Sequence, residues 1–231
     1  MTLAADLNAW VTSTFERSWE TEETSGVPSS ENLRLNANHA KDLTSAVVLY
    51  ADLDGSTDMV DNYSWWFSAE VYKTFLKCAS DIIRSEGGTI TSYDGDRVMA
   101  VFTGASKNTT AVRAALKINY AVAHIIQPAL IKKYSNTKFE LKHVVGIDNT
   151  QLRAARIGVK GDNDLVWIGR AANYAAKLTS LADKTTFITE AVYGQLREEL
   201  RESNSLPIWV KEWWPDKGIW IYSSTWWWRL D

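Results

Sequence analysis

Cysteine is almost missing from this 231-residue chain: Cys78 stands alone, so no internal disulfide framework can form and a reducing cytoplasm is the expected compartment. Basic charge is not in excess, since 25 Lys and Arg stand against 28 Asp and Glu for a net charge of −3. A sequence-independent nucleic-acid binder needs a basic face, so no nucleic-acid partner is expected. No apolar run approaches the ~18–20 residues of a membrane span, and the N-terminus lacks the pattern of a secretory signal, so no membrane partner is expected either. His39, His124 and His143 are the only histidines and are scattered, with no spacing that would ligate a metal. Internal repeats and low-complexity segments are lacking, apart from one tryptophan cluster.

A hydrophobic fraction of 45% and a charged fraction of 23% exclude a largely disordered chain. The length suffices to bury a core without disulfides or a structural metal. Twelve tryptophans are present, seven of them between Trp209 and Trp228. That cluster and the Trp65-Trp66 pair have three open readings: core, interface or recognition surface. Cys78 falls on an apolar stretch and reads as a small buried hydrophobe.

Leu3, Leu7, Trp10, Val11 and Phe15 recur at helical spacing, and a loop is expected at residues 25–30. Residues 1–45 therefore read as an N-terminal helical extension, and 46–231 as the main domain with tryptophan-rich terminal strands. Ala46–Ala51 is a short buried strand stopped by Asp52-Leu53-Asp54-Gly55-Ser56, with N-cap chemistry at Ser56, Thr57 and Asp58. A long helix is expected over 64–86, ended by Gly87-Gly88. A hairpin follows, 89–93 and 97–102 around Asp94-Gly95-Asp96. Further expectations are a helix over 107–134, strands at 138–147 and 152–158 separated by Asp148-Asn149-Thr150, and a helix over 170–182. A strand at 186–189, a short helix at 190–201 and aromatic strands across 208–228 complete the pattern. The order implies an α+β fold, a mixed sheet packed with helices.

Two acidic turns carry the chemistry. Asp52 ends a buried strand where an apolar residue would be cheaper, and Asp96 lies in the hairpin turn. Two neighbouring carboxylates repel unless a cation lies between them. Mg²⁺ and Mn²⁺ take carboxylate and phosphate oxygens, and a helix opening near Thr57 turns its free N–H groups to the same place. Such residues suit a nucleoside triphosphate held by two divalent cations. The same residues also have the ordinary reading of two Asp-Gly turns.

Three segments in order resemble class III nucleotidyl cyclases. Tyr50-Ala51-Asp52-Leu53-Asp54-Gly55-Ser56-Thr57 is similar to the first metal-binding motif and Asp94-Gly95-Asp96-Arg97-Val98-Met99-Ala100-Val101-Phe102 to the second. Trp167-Ile168-Gly169-Arg170-Ala171-Ala172-Asn173-Tyr174-Ala175-Ala176-Lys177-Leu178 is similar to the glycine-opened helix bearing the transition-state residues. The resemblance covers residues 45–222 and implies a ferredoxin-like core. It also implies attack of a ribose 3′-hydroxyl on the α-phosphate, giving a cyclic nucleotide and pyrophosphate. By resemblance, Asp52, Asp96 and the Leu53 carbonyl hold two Mn²⁺ or Mg²⁺ ions, and backbone N–H groups from Gly55, Ser56 and Thr57 cradle phosphates. Asn173 orients the ribose and Lys177 stabilises charge on the α-phosphate, where the family usually carries Arg. A homodimer is implied, with sites at the interface and metals and base-reading groups on opposite chains. The resemblance places no triphosphate clamp; Arg153, Lys211 and Lys217 are candidates that also read as surface charges.

The base-reading positions depart from the purine cyclases. Adenylyl cyclases of the class usually carry Lys four residues before the second metal Asp and Asp or Thr three before the helix-opening glycine; guanylyl cyclases carry Glu and a small polar residue. Here those positions are Ser92 and Val166. Such a site has either lost activity or changed base. Tyr50 shares a strand face with Asp52 by period-2 alternation and either narrows a base pocket or is a core tyrosine. Tyr50, Ser92 and Val166 together resemble the pyrimidine cyclases of the bacterial Pycsar anti-phage system, whose cyclic UMP or cyclic CMP activates a separate effector protein. Uridine triphosphate is the favoured substrate. CTP, an adenylate cyclase with an atypical pocket, and a catalytically inactive nucleotide-binding module are the alternatives. A diguanylate cyclase is excluded by the absence of its Gly-Gly-Asp/Glu-Glu-Phe signature.

Overall fold

The computed structural model describes residues 2–181 and 183–230. Met1 and Asp231, the outer ends of the two sequence-defined segments, and Ala182, the expected end of the third long helix, lie outside the described residues. In chain order the elements are α1 Leu3–Glu16, β1 Glu20–Glu23, β2 His39–Asp54, α2 Ser56–Asn62, α3 Trp65–Ser85, β3 Thr89–Asp94, β4 Arg97–Phe102, α4 Lys107–Ala121, α5 Gln127–Lys133 and β5 Lys142–Val159. There follow β6 Asp162–Ile168, α6 Arg170–Leu178, β7 Thr186–Thr189, α7 Glu190–Tyr193, β8 Glu202–Ser203, β9 Leu206–Pro207, β10 Val210–Trp214 and β11 Ile219–Ser224. One mixed sheet runs β10-β11-β7-β5-β2-β4-β3, with β1 added beside β2 and β6 beside β5.

Strand β2 explains the layering. Its alternate residues Val47, Leu49, Ala51 and Leu53 join the larger core with Phe75 and Ile83 of α3 and Leu116 of α4. Val48 and Ala46 face the other way, with Met99, Leu152 and the alanines of α6. Both faces are covered, so the strand reads as an unbroken apolar run. The strand begins at His39, well before Ala46, because its first half pairs with β1 and with the far half of β5. Polar side chains there, including a buried Asp42 held by Arg153 and Gln151, hide the strand from a hydrophobic pattern.

Asp148-Asn149-Thr150 does not break the sheet: β5 is continuous, and Asp148 is buried in its middle. Strand β6 was not expected from the sequence and forms a hairpin with the end of β5. The helical run Lys107–Lys133 contains a π-helical turn at Val122–Ile126 just before Pro128. This run is long and apolar enough to cross a membrane, but half of its most apolar window is buried within the protein. The segment 190–201 is a four-residue α7 followed by a 3₁₀ turn at Glu198–Leu200.

The tryptophan-rich tail packs on its own chain. Trp226 O accepts from Asn119 Nδ2 at 2.7 Å, and Trp228 N–H donates to Leu116 O at 2.9 Å. Trp227 meets His124 edge-on at 4.8 Å. Trp213 and Trp220 form an exposed cross-strand pair at 5.1 Å, while Trp214 is buried against Tyr174 of α6.

Gly146 of β5 sets how closely α6 approaches. A Cβ there would lie 2.2 Å from Ala175 O and 2.8 Å from Leu178 Cβ, so only glycine admits the helix. Gly146→Ala is expected to cost about 1–3 kcal/mol of stability through this overpacking. Thermal denaturation checks it, and an unchanged Tm would contradict the close approach.

Candidate active site

The site is assembled where β2 leaves the core. Ala51 is opposite Val98 in the antiparallel pair with β4, so Asp52 is set beside Arg97 and the turn that holds Asp96. Tyr50, Met99 and Ser92 form one row across β2, β4 and β3 and share a sheet face, with Tyr50 and Ser92 half-buried. Gly55 adopts φ 73°, a left-handed conformation that glycine reaches without strain, and reverses the chain into α2. Its carbonyl accepts from Met59 N–H at 3.1 Å, leaving the amides of Ser56, Thr57 and Asp58 without intrahelical acceptors.

Asp52 exposes only 14% of its side chain. Its Oδ2 accepts from Arg97 Nε at 3.1 Å, lies 3.0 Å from Arg97 Nη2, and accepts from the Thr179 hydroxyl at 3.3 Å. Burial pushes the Asp52 carboxyl above its ordinary value; Arg97 opposes that rise, and the charge of Asp96 adds to it. Asp96 also acts on Tyr72 of α3, whose hydroxyl is raised chiefly by burial and further by the Asp96 charge. The Asp96 charge is therefore felt both at the end of β2 and at the α2–α3 side. Burial likewise raises the Tyr50 hydroxyl, with Arg97 opposing and Asp94 reinforcing, and the Arg97 guanidinium lies 5.9 Å from the Tyr50 ring centre. Tyr50 thus keeps a neutral hydroxyl able to donate and accept.

Cation binding fits this donor set. The Asp52 carboxylate already draws a positive group onto Oδ2, and the neighbouring Asp96 charge raises its demand for one. Among the described residues no group of three or more His, Cys, Asp or Glu is placed to hold a metal, so two carboxylates would need a carbonyl such as that of Leu53 and phosphate oxygens to complete a shell.

On α6, Asn173 and Lys177 are both exposed and one turn apart, on the side away from the sheet. Val166 is elsewhere in the chain: it pairs with Ala155, which pairs with Ala40 near the opposite end of β2 from Tyr50. Arg153 is engaged by Asp42 at 3.1 Å in that same region. Lys211 is bound to Glu190 at 2.9 Å, and Lys217 lies 5.9 Å from the Trp214 ring centre. Sequence reasoning passed over Arg97 and Thr179, the two residues that touch Asp52. Arg97 follows the second acidic turn directly, and antiparallel register alone would have set it beside Asp52.

No family model matches the chain. A curated relative from Burkholderia cepacia, a uridylate cyclase, is 67% identical over 230 residues and the match covers 100% of both chains. Another uridylate cyclase, from Xanthomonas perforans, is 51% identical over 232 residues, again over 100% of both. This chain belongs to the uridylate cyclase family. The fold is that of a class III nucleotidyl cyclase: the adenylyl cyclase CyaB from P. aeruginosa superposes with a TM-score of 0.65 at 19% identity, covering 80% of this chain and 95% of that one. At that identity the likeness speaks for the architecture alone.

The raised Asp52 carboxyl has a stability consequence. The folded state holds this proton more tightly than the unfolded chain, so its contribution to stability declines as pH rises through and above the ordinary carboxylate value. Asp52→Asn removes that penalty at nearly constant volume. Turnover is expected to be abolished while the metal-free variant at neutral pH melts no lower than the parent; a marked fall in Tm would contradict the electrostatic reading.

Proposed function

We propose that this chain closes UTP to 3′,5′-cyclic UMP with release of pyrophosphate, in a site that requires two divalent cations, Mn²⁺ or Mg²⁺. The ribose 3′-oxygen bonds to the α-phosphorus as the bond to the β-phosphate oxygen breaks, and the hydroxyl proton leaves to solvent. The observation that carries this reading is the half-enclosed Asp52 carboxylate, set by the β2–β4 register beside the turn that holds Asp96; the Tyr50–Ser92 row on the same sheet serves the base in the site that the partner chain completes. Full-length identity to uridylate cyclases supports the choice of base.

Asp52, Asp96 and the Leu53 carbonyl hold the cations. Bound there, such ions supply charge neutralisation and a lowered pKa for the 3′-hydroxyl. Gly55, Ser56 and Thr57 offer backbone N–H groups to phosphate oxygens. Asn173 orients the ribose, and Lys177 meets charge on the α-phosphate as a point charge without the guanidinium fork. Tyr50 narrows the base pocket, and with Ser92 it supplies hydroxyls to a pyrimidine edge; Val166 offers no purine-reading group. Two chains form a homodimer, one giving the metal ligands and the other the α6 groups, consistent with the outward exposure of Asn173 and Lys177. The cyclic nucleotide is then an anti-phage signal made in the cytoplasm and sensed by a separate effector.

Two experiments test this reading. With an equimolar mixture of the four ribonucleoside triphosphates and Mn²⁺, cyclic UMP is expected as the dominant product. Cyclic CMP or cyclic AMP in its place would overturn the base assignment, and no product would favour a binding module. In demonstrated heterodimers, an Asp52→Ala chain paired with a Lys177→Ala chain is expected to recover part of the activity lost by each alone. Absence of any recovery there would argue for a site within one chain.

A further inference from the structure

Helix α6 must present Asn173 and Lys177 at a fixed angle, yet through its first turns the face it lays on the sheet is made of Ala171, Ala172 and Ala175, with Leu178 the one large buried side chain, at its last turn. Small side chains give a helix little to interlock with, so rotation and sliding have to be prevented elsewhere. At the first turn, where the alanines leave most freedom, the restraint lies in the Asp148-Asn149-Thr150 triplet of β5; Thr179 holds the other end to Asp52. Asp148 is wholly buried and accepts from Arg170 Nε at 3.1 Å, from Arg170 Nη2 at 3.2 Å and from the Thr189 hydroxyl at 2.5 Å. Arg170 Nη2 also reaches Asn149 O at 3.5 Å, and Ala171 N–H donates to Thr150 Oγ1 at 3.1 Å. Gly169 approaches the same strand so closely that a Cβ would meet Gln151 O at 2.7 Å.

A carboxylate in the middle of a sheet is a costly way to fill space, and an apolar residue of similar size commonly serves stability as well or better. What the carboxylate adds is direction, because the planar guanidinium fork fixes orientation as well as distance. Arg170, Asn173 and Lys177 follow at i, i+3 and i+7, one stripe of the helix, and Arg170 is 41% exposed by its side chain. Holding the guanidinium therefore sets the angle at which the other two project. Tyr174, 5.2 Å beneath the Arg170 guanidinium and edge-on to Trp214, backs the same turn.

We propose that the Asp148–Arg170 pair is the positioning device for α6, fixing where Asn173 and Lys177 meet the substrate; this rests on the reading of those two as the ribose and α-phosphate groups. Misplacement of reacting groups by about 1 Å can cost on the order of 100-fold in rate. Steady-state kinetics with UTP and Mn²⁺ on Asp148→Asn, Arg170→Gln, Arg170→Lys, the Asp148→Asn/Arg170→Gln double variant and Lys177→Ala test the proposal. Each of Asp148→Asn and Arg170→Gln is expected to lower kcat by about 10- to 100-fold, with KM for UTP and the Mn²⁺ half-saturation held within roughly twofold. The double variant is expected to be no worse than the weaker single, and Arg170→Lys to recover only part of kcat. The double variant leaves no buried charge unpaired and serves as the folding control, checked by its Tm; unchanged kcat in it or in Arg170→Gln would overturn the proposal, as would losses that multiply in the double variant. A KM increase confined to Arg170→Gln would make that residue a substrate contact and likewise overturn it. Full activity in Lys177→Ala would instead overturn the reading of α6 on which the proposal rests.

Discussion

Asp52 is placed where an apolar strand emerges from the core, too enclosed to be fully hydrated, and its carboxyl is pushed up by that burial and, to a lesser degree, by the charge of Asp96. A carboxylate in that position demands positive charge. Arg97 supplies it within the chain, and the Thr179 hydroxyl adds one hydrogen bond. The same demand suits the oxygen atom to a hard divalent ion carrying a triphosphate. The proposed binding and chemistry at this place would therefore derive from one constraint, the cost of a desolvated anion at a strand end.

That constraint reaches α6 directly. Thr179 caps the helix and touches Asp52, while Arg170 at the other end is held by Asp148, so the helix is strung between two aspartates of adjacent antiparallel strands. Gly146 and Gly169 let it lie close, and Trp214 of the C-terminal hairpin packs with its Leu178 and Tyr174. The tryptophan-rich end of the chain is thus tied to the domain, Trp214 against α6 and Trp226 to Trp228 against α4.

Where hydrophobic pattern and turn chemistry agree, the sequence is a good guide: the run from Ala46, the helix ended by Gly87-Gly88 and the Asp94-Gly95-Asp96 hairpin all lie where expected. It misleads where polar residues are buried for tertiary reasons. Asp148 reads as part of a turn and Asp42 falls in the segment set apart as an N-terminal extension, yet each is buried in a long strand with an arginine partner, so β2 starts earlier than its apolar run and β5 is one strand. The contact of Arg97 with Asp52 was invisible to motif spacing because it depends on register between strands. Resemblance groups Val166 with Ser92 as a base-reading position, whereas within one chain the sheet carries it, and the clamp candidate Arg153 with it, to its far end.

In the proposed site the choice of pyrimidine over purine rests on what the base-reading positions lack as much as on what they hold: Tyr50 would add bulk and a neutral hydroxyl, and Ser92 would stand in place of a longer purine reader. Neither matters unless Asp52 and Asp96 act together on the cations. Counting bound Mn²⁺ by electron paramagnetic resonance, with a non-cyclisable UTP analogue present, tests that most directly. Two ions per site are expected in the parent protein, with loss of binding in both Asp52→Asn and Asp96→Asn; unaltered Mn²⁺ stoichiometry and affinity in either variant would contradict a shared site.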